Sequence, residues 1–593
     1  MSHGATSQCW QNSLEVSGER TNSRKPSRES RHCYHLVAEL DSDLIELSRV
    51  YRGDLYPVGQ FGSILKVHYG RRVLYAYVAR LRMKADFDRE RGIAEGSASD
   101  ARIVEADLFG EAEWERVTDA EGTSAWQMRF ERGVSTFPLP QQRVYLTPRS
   151  ELRMLYGQQE QSALELGEHV GVGGAKCYAD VNALACKHTA ILGSTGAGKS
   201  AAVAAVIHGI VGLKPAGGEW APRIVILDPH DEYSTAFPGC KKLATDNQSL
   251  SLPYWLLSLE ETVALVIGRT EHAATSQTNV LRNALIDARH EGAAKLGLPL
   301  DGITADSPVP YELGELMGVD IFGQDGDGNT ITTGLVGAIN SQRPDNRDKK
   351  QHGEYAKLIE KLGSLCKDSR LQFMMKPWDG KSDPFGAIAG QFMAGNESIR
   401  VIDLSAVPNE VAGAASAAMA RLLYSIKLWQ SPEERSATPV VLVCEEAHRY
   451  VPNRGDAQYS AAQDAIRRIA KEGRKYGVGL ILVSQRPSDV EPTVLSQCNS
   501  WIVLRITNDA DRSHVRSVLP DSLAGLTSAL SGLRRREAIV VGLATVLPSR
   551  VLIRQLEHHE LPRSHDIDFV AGWSKPPATE NDLEKVGKRW RYQ

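Results

Sequence analysis

Apolar residues along this chain fall into two regimes that meet near residue 188. Between Leu36 and about Arg149 the apolar segments are short, among them Phe61 to Gly70, Val73 to Met83 and Gln141 to Pro148, with Gly, Pro and charged turns between them. Alternation and β-branched enrichment there predict a small β-rich domain, a barrel. Beyond residue 188, continuous apolar runs end in polar residues and alternate with helical spacing. The runs are 188–193, 223–228, 399–404, 440–446, 479–485, 500–506 and 538–544. They predict strands of a mostly parallel sheet covered on both faces, and such α/β sheets build their sites at the carboxyl ends of the strands.

The strand pattern lapses between about 262 and 395, where Thr278 to Leu296 and Glu354 to Cys366 repeat apolar residues at helical spacing. This predicts a helical insertion in the core. Residues 1–32 are rich in Ser, Arg, Glu, Asn and Gly and poor in large apolar residues, the composition of a disordered leader. The expected organisation is therefore a leader at 1–32, a barrel-like domain at 33–170, a core at 171–261 and 396–556 split by the insertion at 262–395, and a charged C-terminal arm at 557–593.

Composition narrows the setting. The chain has 593 residues, 42% hydrophobic and 24% charged, which is globular. No apolar stretch between Met1 and Arg31 resembles the core of a signal peptide, and the longest apolar run, Ala201 to Leu213, is too short to cross a bilayer. The expectation is a cytoplasmic protein with no membrane partner. Eight cysteines without a CxxC pair imply neither a disulfide framework nor a zinc site, and predict thiols in a reducing compartment. A net charge of −4 excludes a surface that binds nucleic acid everywhere, so any DNA contact must be concentrated in a local basic channel.

Four constellations carry candidate chemistry. Gly193, Ser194, Thr195, Gly196, Ala197, Gly198, Lys199 and Ser200 match GxxxxGK[ST] and stand between an apolar strand and an Ala/Val-rich helix that continues with Ala201. Glycines let backbone N–H groups curl round phosphate oxygens, Lys199 reaches the β- and γ-phosphates, and the Ser200 hydroxyl binds Mg2+. The run Val440 to Val443 leads to Glu445 and Glu446, suited to holding Mg2+ and to orienting the attacking water respectively, or simply exposed acids at a strand end. Ser484 and Gln485 end another strand, where a neutral amide can sense the γ-phosphate. Asp228 ends a third, and either orients the site or caps the turn that follows. The helix around Arg467, Arg468, Lys471, Arg474 and Lys475 is either a solvated charged face or the source of an arginine finger.

At these residues the sequence resembles the HerA family of hexameric DNA-translocating ATPases, within the FtsK-HerA group of RecA-like motors. The resemblance runs through His188 to Ser200, Leu227 to Tyr233, Glu445 to Pro452, Ala470 to Asn508 and Glu537 to Val551. It implies a RecA-like P-loop core behind a small N-terminal barrel, ATP and Mg2+ bound through Lys199 and Ser200, Glu446 as catalytic glutamate, Gln485 as sensor and Arg474 as the finger from a neighbouring subunit. Lys187, Lys475 and Arg505 are alternative cations, and Glu445 stands where the usual motif has Asp. The family implies a homo-hexamer around double-stranded DNA with a nuclease partner. In bacteria it also implies sirtuin-type or other nuclease effectors in antiphage defence. Two other readings share the core: an ATP-dependent scaffold that regulates an effector with little DNA movement, and a secretion or conjugation ATPase.

Overall fold

The computed structural model describes residues 15–16, 35–40, 48–51, 54–59, 63–90, 101–118, 124–156, 162–170, 175–215, 220–245, 248–266, 274–317, 360–407, 409–453, 460–519, 529–563 and 568–592. The expected leader lies outside the described residues except for Glu15–Val16. The chain divides into two compact units. The first comprises Met1–Leu184, Leu192–Gly209 and Asn499–Gln555, the second Ala185–Ile191, Ile210–Cys498 and Leu556–Gln593.

The first unit opens with an antiparallel sheet. Its strands are β1 (Glu15–Val16), β2 (His35–Glu39), β5 (Ile64–Tyr69), β6 (Arg72–Met83), β7 (Arg102–Thr118), β8 (Ser124–Arg132) and β9 (Val144–Leu146). They run in the order β1-β9-β5-β6-β7-β2, with β8 pairing β7, while β3 (Ser48–Tyr51) and β4 (Asp54–Pro57) form a separate hairpin. One face buries Leu65, Val67, Leu74, Val78, Val104 and Leu108. This is the inward half of the alternation read from the sequence.

The same unit holds a second antiparallel set, in which β10 (Ala163–His169) pairs with both β11 (Lys176–Asp180) and β20 (Ser549–Ile553). β19 (Glu537–Gly542) pairs with β20 and with β18 (Ser500–Leu504). Residues 163–169, expected within the barrel-like domain, thus join a strand almost four hundred residues later in the chain.

The second unit carries the parallel sheet. β13 (Ile224–Asp228) pairs parallel with β15 (Ile399–Asp403) and β16 (Val440–Cys444), β14 (Lys241–Ala244) with β15, and β17 (Val478–Ser484) with β16. β12 (Thr189–Leu192) is the neighbour of β17. Every residue of β13, β15 and β17 is buried, which is why β13 and β17 read as apolar runs up to their last residue, while β15 carries the buried Arg400 inside its run. β14 was invisible to that reading because its two lysines break the run.

Helices dominate the described part of the expected insertion: α1 (Leu259–Val266), α2 (Ala274–Leu296) and α3 (Phe385–Met393). α1 also packs against α4 (Asn409–Trp429), where Arg421 clamps the buried Glu261 at 2.8 Å. The fully buried Arg289 of α2 donates to the carbonyls of Trp255 and Leu257 at 3.3 and 2.9 Å, so its charge is solvated by backbone. The C-terminal arm ends in a helix, Glu580–Tyr592, that leaves Trp590 exposed. None of the described helices is long and apolar enough to cross a membrane.

Gly542 closes the β18–β19 pairing at φ +106°, and a Cβ there would stand 2.1 Å from the Asn499 carbonyl oxygen. Gly542→Ala is expected to destabilise the chain by about 2 kcal/mol or more. Chemical denaturation checks this through a lower midpoint at unchanged m-value.

Candidate functional site

The phosphate-loop candidate begins where β12 ends. A Cβ on Gly193 would lie 2.9 Å from Leu504 Cβ, and Gly196 and Gly198 have φ of +75° and +96°, a backbone region that other residues reach only with strain. Ala197 N donates to Ser194 O at 3.1 Å and tightens the turn. Outside partners hold it: Ser194 N donates to Arg505 O at 2.9 Å, Arg536 N to Ala197 O at 3.0 Å, and Thr507 N to Ser194 Oγ at 3.3 Å.

The next helix, Lys199–Val211, starts directly, with Ala202 N donating to Gly198 O. Its residues Ala202 to Ile207 are essentially fully buried. Lys199 is 6% exposed, while Thr195 and Gly196 are open to solvent. First-turn N–H groups of a helix and its positive dipole end favour an anion, and neither Ser200 nor Ala201 brings a negative charge.

The acidic candidates belong to the second unit. β16 stops at Cys444, so the two glutamates lie just past the strand rather than within it. Glu445 and Glu446 are 2% and 3% exposed. Glu446 takes a left-handed backbone conformation, φ 53° and ψ 50°, which costs roughly 1–3 kcal/mol for a side chain of this kind. Its Oε1 accepts a hydrogen bond from Gln485 Nε2, and its Oε2 lies 3.2 Å from His448 Nδ1. Glu445 Oε2 accepts from the Tyr233 hydroxyl at 2.7 Å.

Tyr233 is fully buried, and burial together with the Glu445 charge pushes its hydroxyl well above the ordinary tyrosine range. It therefore stays a neutral donor to the carboxylate. Of the two roles open to Asp228, the geometry displays the capping one: its carboxylate accepts from His230 N at 3.2 Å and Tyr233 N at 2.8 Å. The turn that Asp228 organises presents Tyr233 to Glu445.

Sequence reasoning missed Tyr233 and His448. Tyr233 lies within a quoted motif, but no spacing rule marks a contact across 212 residues.

The basic helix, Ser460–Tyr476, divides by use. Arg467 is held by Glu491 at 3.0 Å and by Asp464, and Arg468 stacks over the Tyr424 ring at 4.7 Å. Lys471, Arg474 and Lys475 are exposed, and among the described residues Arg474 makes no ion pair. Among the described residues no cluster of three or more His, Cys, Asp or Glu side chains forms a metal cage. Mg2+ does not require one, because it usually takes one or two protein oxygens and completes its shell with phosphate and water.

With this geometry in hand, the comparisons are informative. Residues 164–423 match the family model described as the central domain of helicase HerA. The chain is 28% identical over 431 residues to a DNA double-strand break repair helicase HerA from Pyrococcus furiosus, covering 69% of this chain and 72% of that one. It is 26% identical over 442 residues to the protein of the same name from Saccharolobus solfataricus, covering 74% and 76%. A solved structure of the plasmid coupling protein TrwB with ADP and Mg2+ aligns at 15% identity and TM-score 0.43, over 69% of this chain and 93% of that one.

Burial holds the Asp228 carboxyl up at about 6, against an ordinary 3.8, although three backbone N–H groups pull the other way. An acid raised in this way favours the folded state while protonated, and that contribution is lost as pH rises through its folded value. Relative to Asp228→Asn, the wild-type chain should lose roughly 1 kcal/mol per pH unit between about pH 4.5 and 6, and nothing further above about 7. Thermal melting of both proteins across that range is the check, and a pH-independent gap would mean that Asp228 is ionised throughout.

Proposed function

We propose, from the match of residues 164–423 to the central domain of helicase HerA and from the HerA relatives, that this chain is an ATP-hydrolysing motor that translocates on or unwinds double-stranded DNA. One observation carries the reading: a buried lysine heads a helix behind a turn that glycines make without strain, with φ of +75° and +96°. Backbone N–H groups of Gly196 to Lys199 cradle the phosphates, and Lys199 neutralises the charge that builds on the β- and γ-oxygens. Residues Gly193 to Ala201 form the nucleotide-binding segment.

The Ser200 hydroxyl and Glu445 are the residues that would hold Mg2+, which would neutralise phosphate charge, and the Tyr233 hydroxyl keeps the Glu445 carboxylate oriented without competing for its charge. Glu446 orients the attacking water. Gln485 holds its carboxylate and reports the state of the terminal phosphate, and His448 Nδ1 stands 3.2 Å from its second oxygen.

Arg474 is exposed on its helix and serves a neighbouring subunit as the arginine finger, in a homo-hexameric ring. We read the N-terminal antiparallel sheet as the small barrel of such a subunit. The working partner is a nuclease or sirtuin-type effector protein, in a cytoplasmic DNA-processing or antiviral role.

Purified protein with and without duplex DNA tests the motor. Duplex should bind and raise ATP turnover; if it does neither, the chain is an ATP-dependent scaffold for an effector instead. Lys199→Ala should lower turnover roughly 100-fold or more with loss of nucleotide binding. Glu446→Ala should keep binding and lower turnover by a similar factor.

Mixing separates a finger acting across an interface from one acting within a subunit. Arg474→Ala and Lys199→Ala subunits, each inactive alone, should recover part of the turnover when combined. No recovery at any ratio would assign Arg474 to its own subunit's site.

A further inference from the structure

Two arginines grip the glycine-rich loop by their backbones, while among the described residues no acceptor meets their side chains. Arg505 O accepts from Ser194 N, and Arg505 Nε is buried with no hydrogen-bond partner among the described residues. Arg536 is clamped on both sides, its N–H donating to Ala197 O at 3.0 Å and its carbonyl accepting from Ile553 N at 3.0 Å.

Two nearby arginines are committed elsewhere. Arg534 pairs with the fully buried Glu537 at 3.2 Å, and Arg550 pairs with the same carboxylate. Among the described residues no carboxylate or carbonyl accepts from the Arg536 guanidinium.

Arg536 also has φ +65°, a conformation that glycine adopts at no steric cost and arginine only with strain. The backbone bonds to Ala197 and Ile553 need no side chain. A Cβ on Gly198 would sit 3.4 Å from Arg536 Cγ, so the arginine stem runs along the loop beside the residue that precedes Lys199. A guanidinium delivered there, without a protein anion to meet it, suits a phosphate.

We propose that Arg536, seconded by Arg505, contacts the phosphate chain of the bound nucleoside triphosphate from within the same subunit. The contact rests on the nucleotide-binding reading of Gly193–Ser200. It adds a cation in cis to the one that Arg474 supplies in trans.

The test uses the full chain and equilibrium binding of a non-hydrolysable ATP analogue, ADP and inorganic tripolyphosphate, without turnover. Arg536→Gly keeps the N–H to Ala197 and relieves the strained backbone, so it removes the guanidinium without loosening the loop. It should weaken the ATP analogue and tripolyphosphate by roughly 10-fold or more, with Arg536→Lys recovering part of the loss and Arg505→Gln weakening both ligands less. If Arg536→Gly binds both ligands like the wild type while Lys199→Ala loses them, the guanidinium is idle and only this inference fails. If the analogue weakens and tripolyphosphate does not, the contact is to the nucleoside and the phosphate assignment is wrong. A wild-type chain that binds none of the three would remove the nucleotide reading itself, and the inference with it.

Discussion

A tight turn through two left-handed glycines leaves its carbonyls and its flanking amide to be satisfied from outside. Here the outside partners are the residue that follows β18 and the residue that precedes β19. Arg505 O takes the amide of Ser194, and Arg536 N–H takes the carbonyl of Ala197. Glycines at 196 and 198 make the turn sterically possible, and these bonds make it a single shape. The loop is therefore held by chain that lies three hundred residues downstream, and its rigidity depends on the antiparallel strands that present Arg505 and Arg536.

A parallel constraint governs the acids. Burying Glu445 and Glu446 to a few per cent exposure is costly unless each carboxylate is met by donors. Tyr233 meets one and Gln485 meets the other, with His448 Nδ1 standing 3.2 Å from its second oxygen. Asp228, rather than adding a third charge to the same duty, spends its oxygens on the turn that delivers Tyr233. The strained backbone at Glu446 fits the same logic: a carboxylate aimed by neighbours that over-determine its position tolerates a conformation that a surface glutamate would leave.

Legibility followed locality. β13 and β17 were readable because burial on both faces leaves nearly unbroken apolar runs, β15 remained readable with a single buried arginine in its run, and β14 escaped because two lysines break its run. The glycine pattern at 193–198 was readable because φ preference belongs to the residue itself. Basic residues on the helix at 460–476 were readable as a cluster but not as individuals: that Arg467 and Arg468 are committed to Glu491 and Tyr424, and Arg474 is not, depends on which segments pack beside each turn.

By itself the sequence determined the α/β class, the strand-to-helix turn with its lysine, and the amino acids that stand at the strand ends, because backbone preference and apolar periodicity act over a few residues. Tertiary structure alone decided which buried carboxylate receives which donor, that Asp228 serves a turn, that β10 joins β20, and that Arg536 is pinned to the loop in a left-handed conformation. Hydrogen bonds between residues hundreds of positions apart are set by how the sheets close. No short-range pattern in the chain encodes that closure.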